Sequence, residues 1–303
     1  MYAIWNLTKV CPWDCSFCCM SAIKVGRVDT GKNLNFSEKI RVLEILASHG
    51  MEIDFSGGDP LYSPEDFSIV KKATEIMPKN LIDVSMTSVD FNERKSALLK
   101  KVGKVEISID NIPEDSNRFR PKGFNLSAIN ILKSLIEKNI FCSAVTTLYP
   151  LSADKNNLER LYKFLCINKV PEWDILRFYP VGRGLKLSNL YINDEKSLEL
   201  MDFLDFLRGG ETKIVFQHSL RILRGEYICH AAVKSIGILP SGIVTACGWA
   251  LDEGSNPLPG FCLGKLPEDD FDVILKRAQV DLGYSERPSY CRILNHLKSQ
   301  EAI

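Results

Sequence analysis

The stretch Thr8 to Met20, TKVCPWDCSFCCM, sets Cys11, Cys15 and Cys18 on one loop with three and then two residues between them, just after a short run of alternating apolar residues. Three thiols so spaced make a metal site. Thiolates are soft ligands that choose zinc, copper(I) or iron–sulfur clusters. Zinc sites are usually built from two close cysteine pairs or from cysteine with histidine, and no histidine lies near this loop. A four-iron cluster takes four cysteines, so a loop offering three would leave one iron open to another ligand. Disulfide pairing is the weakest reading.

The ten cysteines are Cys11, Cys15, Cys18, Cys19, Cys142, Cys166, Cys229, Cys247, Cys262 and Cys291; four fall in the first 19 residues and four after residue 228, so they gather in two sets. The N-terminal segment MYAIWNLTKV has neither a basic start nor a cleavage-site pattern, so no secretory signal is read and ligation is favoured over disulfides in an expected cytoplasmic setting. With 38 basic against 38 acidic residues, the chain has no electrostatic footprint for nucleic acid or an anionic membrane. No apolar run approaches the roughly 18 residues of a membrane span.

Strand and helix patterns alternate from Tyr2 to Tyr179. Strands are expected at 2–7, 51–55, 82–87, 104–109, 141–147 and 174–179. Helices are expected at 38–48 behind Ser37 as cap, after Ser63 with Pro64 at the first position, and near 92–102, 126–138 and 157–167. This rhythm predicts parallel βαβ units. Six strands fall short of the eight of a full barrel, so the expectation is a partial (β/α)6 TIM-type barrel. A helix at 195–207 and the Arg208-Gly209-Gly210 break follow. Residues 1–210 are read as one domain and 211–303 as a small α+β domain with a hairpin around Pro240-Ser241-Gly242. In such sheets chemistry sits at the C-terminal strand ends, where the cysteine loop, Gly57-Gly58-Asp59-Pro60 and Ser108-Ile109-Asp110 fall.

The Cx3CxxC spacing, with aromatic Phe17 before the third cysteine, resembles the cluster-binding motif of the radical S-adenosylmethionine (SAM) superfamily, and Gly57-Gly58-Asp59-Pro60 resembles its GGEP-type motif with Asp in place of Glu. The resemblance implies a 4Fe–4S cluster on Cys11, Cys15 and Cys18, with SAM bound at its open iron. It places the SAM amine at Gly57, Gly58 and Asp59, the ribose or carboxylate at Ser108, the carboxylate at Arg120, and Phe17 near adenine. Arg183 resembles the family's sixth-strand ending without an assigned role. The family's chemistry is reductive cleavage of SAM to a 5′-deoxyadenosyl radical, fed by a one-electron donor such as flavodoxin or ferredoxin.

Cys229, twelve residues, Gly242, four residues and Cys247 resemble the opening of the SPASM and twitch domains, which add auxiliary iron–sulfur clusters. No later dense cysteine run exists, so the resemblance implies one auxiliary 4Fe–4S cluster, the twitch variant. Its ligands are drawn from Cys229, Cys247, Cys262 and Cys291, with Cys291 also a candidate catalytic thiol and His230 a weaker candidate ligand. Cys142 and Cys166 read as small buried hydrophobes; Cys19, beside the cluster loop, stays ambiguous. The expected substrate is a ribosomally made peptide or a protein residue undergoing crosslinking, epimerisation or oxidation. A barrel beginning at residue 2 leaves no leader-binding domain ahead of it, which weighs mildly against maturases that carry one. The alternatives are a small-molecule dehydrogenase of the aminocyclitol type and a non-catalytic metal scaffold.

Overall fold

In the computed structural model of the protein, residues 1–87, 91–112, 118–300 and 303 are described. The chain opens with β1 (Tyr2–Thr8), followed by the two-residue strands β2 (Val10–Cys11) and β3 (Ile23–Lys24), which pair in parallel and clip the cysteine loop at its base. Then come α1 (Phe36–Ser48), β4 (Glu52–Gly57), α2 (Pro64–Ile76), β5 (Ile82–Met86), α3 (Glu93–Leu99), β6 (Lys104–Ser108), α4 (Phe124–Glu137), β7 (Cys142–Leu148), α5 (Lys155–Ile167) and β8 (Glu172–Arg177). This is the alternating α/β order that the sequence predicts. Ser63 caps α2 as expected, with Pro64 next. The α1 cap is Asn35 rather than Ser37: its side chain accepts from Glu38 N–H while Glu38 returns the bond to Asn35 N–H. That reciprocal box satisfies two helix-end donors and starts the helix two residues early.

All strands but β2 and β3 form one open sheet in the order β12 (Cys262–Lys265), β11 (Ile243–Thr245), β10 (Ser235–Ile238), β1, β4, β5, β6, β7, β8, β9 (Lys213–Phe216). Neighbours from β10 through β1 to β9 are parallel. After α6 (Asp194–Leu207), β9 (Lys213–Phe216) extends the sheet beside β8, and after α7 (His218–Leu223), β10 (Ser235–Ile238) returns to the other flank of β1. β11 (Ile243–Thr245) and β12 (Cys262–Lys265) add antiparallel strands, and α8 (Phe271–Val280) and α9 (Arg292–Ser299) finish the chain. The sheet therefore runs across residue 210. Gly242 turns the β10–β11 hairpin at φ +83°, where a Cβ would lie 2.1 Å from the Leu266 carbonyl oxygen, so only glycine fits.

Alternation along the strands sorts the two faces. Ala3, Trp5, Leu7, Ile53, Phe55, Ile82, Val84, Val105 and Ile107 are at most 1% exposed and belong to the main apolar core. The opposite face carries Asn6, Asp54, Ser56, Asp83, Ser85, Lys104, Glu106 and Ser108, all of which line a central cavity. Parallel strands buried on both faces normally read as continuous apolar runs; a polar inner face marks a cavity in place of a filled barrel. Among the described residues no helix is long and apolar enough to cross a membrane.

Candidate active site

The cavity, about 610 Å³, reaches from the cysteine loop down to the strand starts at Tyr2, Glu52 and Lys104. Cys11, Cys15 and Cys18 all line it. Each sulfur accepts a hydrogen bond: Cys11 from Trp13 N–H (3.5 Å), Cys18 from Ala22 N–H (3.4 Å) and Cys15 from the Arg120 guanidinium (3.6 Å). Such donors stabilise thiolates and are the outer contacts that orient cysteine ligands. Burial pushes the free Cys11 thiol up to about 12 and raises Cys15 as well, against the lowering effect of Arg120. These groups stay protonated at neutral pH unless a bound cation takes the proton's place. Among the described residues no three His, Cys, Asp or Glu side chains converge on one ion. A tetrahedral zinc would hold its thiolates about 3.8 Å apart, whereas a cluster of several irons spreads them more widely.

The glycine turn docks directly on this loop. Gly58 N–H donates to Thr8 O (2.7 Å) and Asp59 N–H to Val10 O (2.9 Å). A Cβ on Gly57 would lie 2.4 Å from Thr8 O, and one on Gly58 2.1 Å from Val10 O, so glycine is required at both positions. Gly57 and Gly58 line the cavity; Asp59 does not, and is fully buried. Its carboxylate accepts from Leu61 N–H (2.9 Å) and from the Thr87 hydroxyl (3.3 Å), and Thr87 Oγ1 lies 3.6 Å from Cys11 Sγ. Asp59 therefore reaches the cysteine loop through Thr87, a residue the sequence reading passed over.

Phe17 lines the cavity and packs with Phe119, Tyr149 and Phe178. Ser108 lines it at the C-terminal end of β6. Arg120, expected to meet a carboxylate of the cofactor, is engaged by the protein: its Nε donates to buried Asp110 (2.5 Å), and its plane lies over Phe17 and Phe124 (4.6 and 4.5 Å). Arg183 gains a role that sequence did not supply. Its Nε and Nη2 donate to Cys15 O (3.0 and 2.7 Å) and its Nη1 to Ala22 O (2.5 Å), tying both sides of the cysteine loop to the segment after β8. Cys19 lines the cavity next to Cys18.

The cavity floor is acidic. Lys104 sits 2.8 Å from Glu106, 3.3 Å from Asp174 and 3.8 Å from Glu172. Burial, reinforced by the Glu106 charge, raises Asp54 well above the carboxylate range and brings Asp83 to about 7. The signal was present in the strand sequences, whose inward positions alternate acid, serine and lysine.

In the C-terminal set, burial pushes Cys247 up to about 12, and the neighbouring Cys291 and Cys229 add to the rise. Tyr179 closes one side with its hydroxyl 3.6 Å from Cys291 Sγ. Burial raises Tyr284 to about 12 with added effect from Cys247 and Cys229. Tyr179 and Trp249, stacked at 6.1 Å, also line the central cavity. Cys262 is exposed on β12, whereas Cys229, Cys247 and Cys291 pack against the core. His230 accepts or donates at the Tyr227 hydroxyl (2.9 Å). Cys142 is buried, as expected of a small hydrophobe, and Cys166 packs partly buried against the core.

The sequence model described as the Radical SAM superfamily matches residues 5–165. No curated protein matches the chain in sequence. Among solved structures, SuiB from Streptococcus suis bound to precursor peptide SuiA superposes with a TM-score of 0.71 at 14% identity, covering 94% of this chain and 65% of SuiB. SuiB bound to S-adenosylmethionine gives 0.71 at 15% identity over 94% and 66% of the two chains. Native anSMEcpe with bound AdoMet and Cp18Cys peptide gives 0.64 at 14% identity over 94% and 81%. The chain thus spans just under two thirds of SuiB, and these likenesses establish a shared fold. With the family match running over more than half of its length, the chain belongs to the radical SAM superfamily.

Proposed function

We propose that the protein is a radical SAM enzyme acting on a peptide or protein residue, using a 4Fe–4S cluster held by Cys11, Cys15 and Cys18 and one auxiliary cluster in residues 211–303, with residues 1–210 as the core domain. The observation that carries the first assignment is that all three sulfurs line one cavity and each accepts a hydrogen bond. A cluster and SAM bound there would supply the radical chemistry needed to remove a hydrogen atom from the substrate. This chain's part is to hold the participants in register and keep water out. Carbonyls of the Gly57–Gly58 turn would accept from the SAM amine, Asp59 and Thr87 hold the turn against Cys11, and Ser108 and Phe17 would flank the nucleoside. Arg183 fixes the loop by two of its carbonyls.

For the auxiliary cluster the favoured protein ligands are Cys229, Cys247 and Cys291, with exposed Cys262 outside the set. Their mutual electrostatic effect and shared tyrosine neighbours support the grouping. A peptide substrate is favoured because the fold matches SuiB and anSMEcpe in structures that hold peptides. Electrons would come from a flavodoxin- or ferredoxin-type donor.

The test is anaerobic reconstitution with iron and sulfide. About eight irons per chain, matching two four-iron clusters, together with reductant-dependent 5′-deoxyadenosine, are expected. Tightly bound zinc and no SAM cleavage would overturn the reading. Turnover of an aminocyclitol with no turnover of any peptide would overturn the substrate class alone.

A further inference from the structure

The guanidinium of Arg120 is held at Nε and Nη1 and packs against two aromatic rings. Nε donates to Asp110 Oδ2 at 2.5 Å, Nη1 faces Cys15 Sγ at 3.6 Å, and the guanidinium carbon lies 4.6 and 4.5 Å from the ring centroids of Phe17 and Phe124. Asp110 is itself over-determined. Oδ2 also accepts from the Tyr149 hydroxyl (3.3 Å), Oδ1 accepts from Thr147 N–H (3.2 Å), and its carbonyl accepts from Asn157 Nδ2 (2.9 Å). Asp110 is fully buried, and the Arg120 side chain is 10% exposed. An arginine clamped in this way does not swing to greet a ligand. It presents a fixed positive charge to one sulfur.

We propose that Asp110 and Arg120 form a buried charge pair that sets the reduction potential of the cluster held at Cys15, Arg120 raising it and Asp110 moderating that effect. The inference rests on the reading of Cys15 as a cluster ligand. Reduction adds one negative charge to the cluster. A cation at a ligand sulfur, inside a site largely shielded from water, favours the reduced state, and a hydrogen bond to that sulfur acts in the same direction. The carboxylate behind the guanidinium opposes both effects. Arg120 and Asp110 are thus positioning residues that act through Cys15, and the sign of each contribution follows from its charge.

The test is a potentiometric titration of the full-length reconstituted protein without SAM, followed by electron paramagnetic resonance. The relevant signal is identified in a parallel sample by its change on adding SAM. Asp110→Asn, nearly isosteric and the gentler change, is expected to move the reduction equilibrium at least tenfold toward the reduced form, 59 mV upward for a one-electron couple. The Asp110→Asn/Arg120→Gln double variant, which leaves no unpaired buried charge, is expected to move it at least tenfold the other way relative to Asp110→Asn. Arg120→Lys, which keeps the charge, should stay nearer to wild type than the double variant does. Iron-replete variants whose reduction equilibria stay within twofold of wild type, with only SAM affinity weakened, would overturn the inference and return Arg120 to the role of a carboxylate clamp. A wild-type chain that takes up no iron would instead sink the cluster assignment and the inference together.

Discussion

Gly58→Ala tests whether the glycine turn must approach the cysteine loop as closely as it does. The added Cβ would sit 2.1 Å from Val10 O and 2.6 Å from Val10 C. Both neighbours are backbone, so no side chain can swing aside. Ordinary carbon contacts begin near 3.4 Å, so turn and loop must separate by roughly 1 Å, the reverse of close packing. Overpacking of this kind costs about 1–3 kcal/mol, which in a chain of this size lowers Tm by only a few degrees, at about 2–4 °C per kcal/mol. The effect on the site is larger. Val10 O is the acceptor for Asp59 N–H, and Cys11 is the next residue. A displacement of about 1 Å between groups that hold a substrate can cost 100-fold in rate, so SAM cleavage should fall about 100-fold while the fold survives. Thermal melts, iron content, SAM affinity and 5′-deoxyadenosine formation measured together decide the matter. A variant that melts several degrees lower yet binds and cleaves SAM normally would refute the placement of SAM at this turn. One unchanged in every measure would refute the close approach itself.

Cys291→Ser should lower iron by about one cluster's worth, whereas Cys262→Ser should leave it at the wild-type count; equal losses would return Cys262 to the ligand set. Arg183→Ala frees the Cys15 and Ala22 carbonyls and should speed iron loss to a chelator without unfolding the chain, as followed by absorbance and circular dichroism. Lys104→Met leaves Glu106, Asp174 and Glu172 without their shared cation. Breaking a buried pair costs about 3–5 kcal/mol, and the 21% exposure of the lysine side chain places the expected loss toward or below the lower end, read by denaturant melts at neutral pH. Asp83 holds its proton to about pH 7 when folded but only to about 3.8 when unfolded. The folded state binds the extra proton between those values, so stability falls as pH rises from about 4 to 7, by at most about 1.4 kcal/mol per pH unit for one group. Asp83→Asn should flatten that slope; an unchanged slope would assign it to other carboxylates.

The alternation of strand and helix was legible because each helix carries its own punctuation, such as Ser63-Pro64 before α2, and because parallel strands leave apolar residues at every second position. Cap choice was less so: Asn35 and Ser37 are both good caps, and the reciprocal bond with Glu38 decides between them. The cysteine loop and glycine turn were legible as chemistry, since three thiols and paired glycines have few other uses together. Their supports were not. Thr87, Asp110 and Arg183 lie 76, 95 and 168 residues or so from the cysteines they serve, and no local pattern marks a contact made at that range. Arg120 was found as a residue but its buried partner Asp110 was not, because sequence shows a charge without showing what lies against it. The four C-terminal cysteines illustrate the same limit. Spacing counts thiols, but only burial separates Cys262 from Cys291.

β1 is flanked in parallel by β4 on one side and by β10 on the other. The strand that delivers the first cysteine set to the cavity therefore takes half of its backbone support from the segment that runs between Cys229 and Cys247. A chain cut at residue 210 would bare the amide edge of its own cofactor strand and also strip β9 from β8. The two cysteine sets share one scaffold: neither can be excised or transplanted as a free module, and damage to the hairpin at Gly242 should register at Cys11.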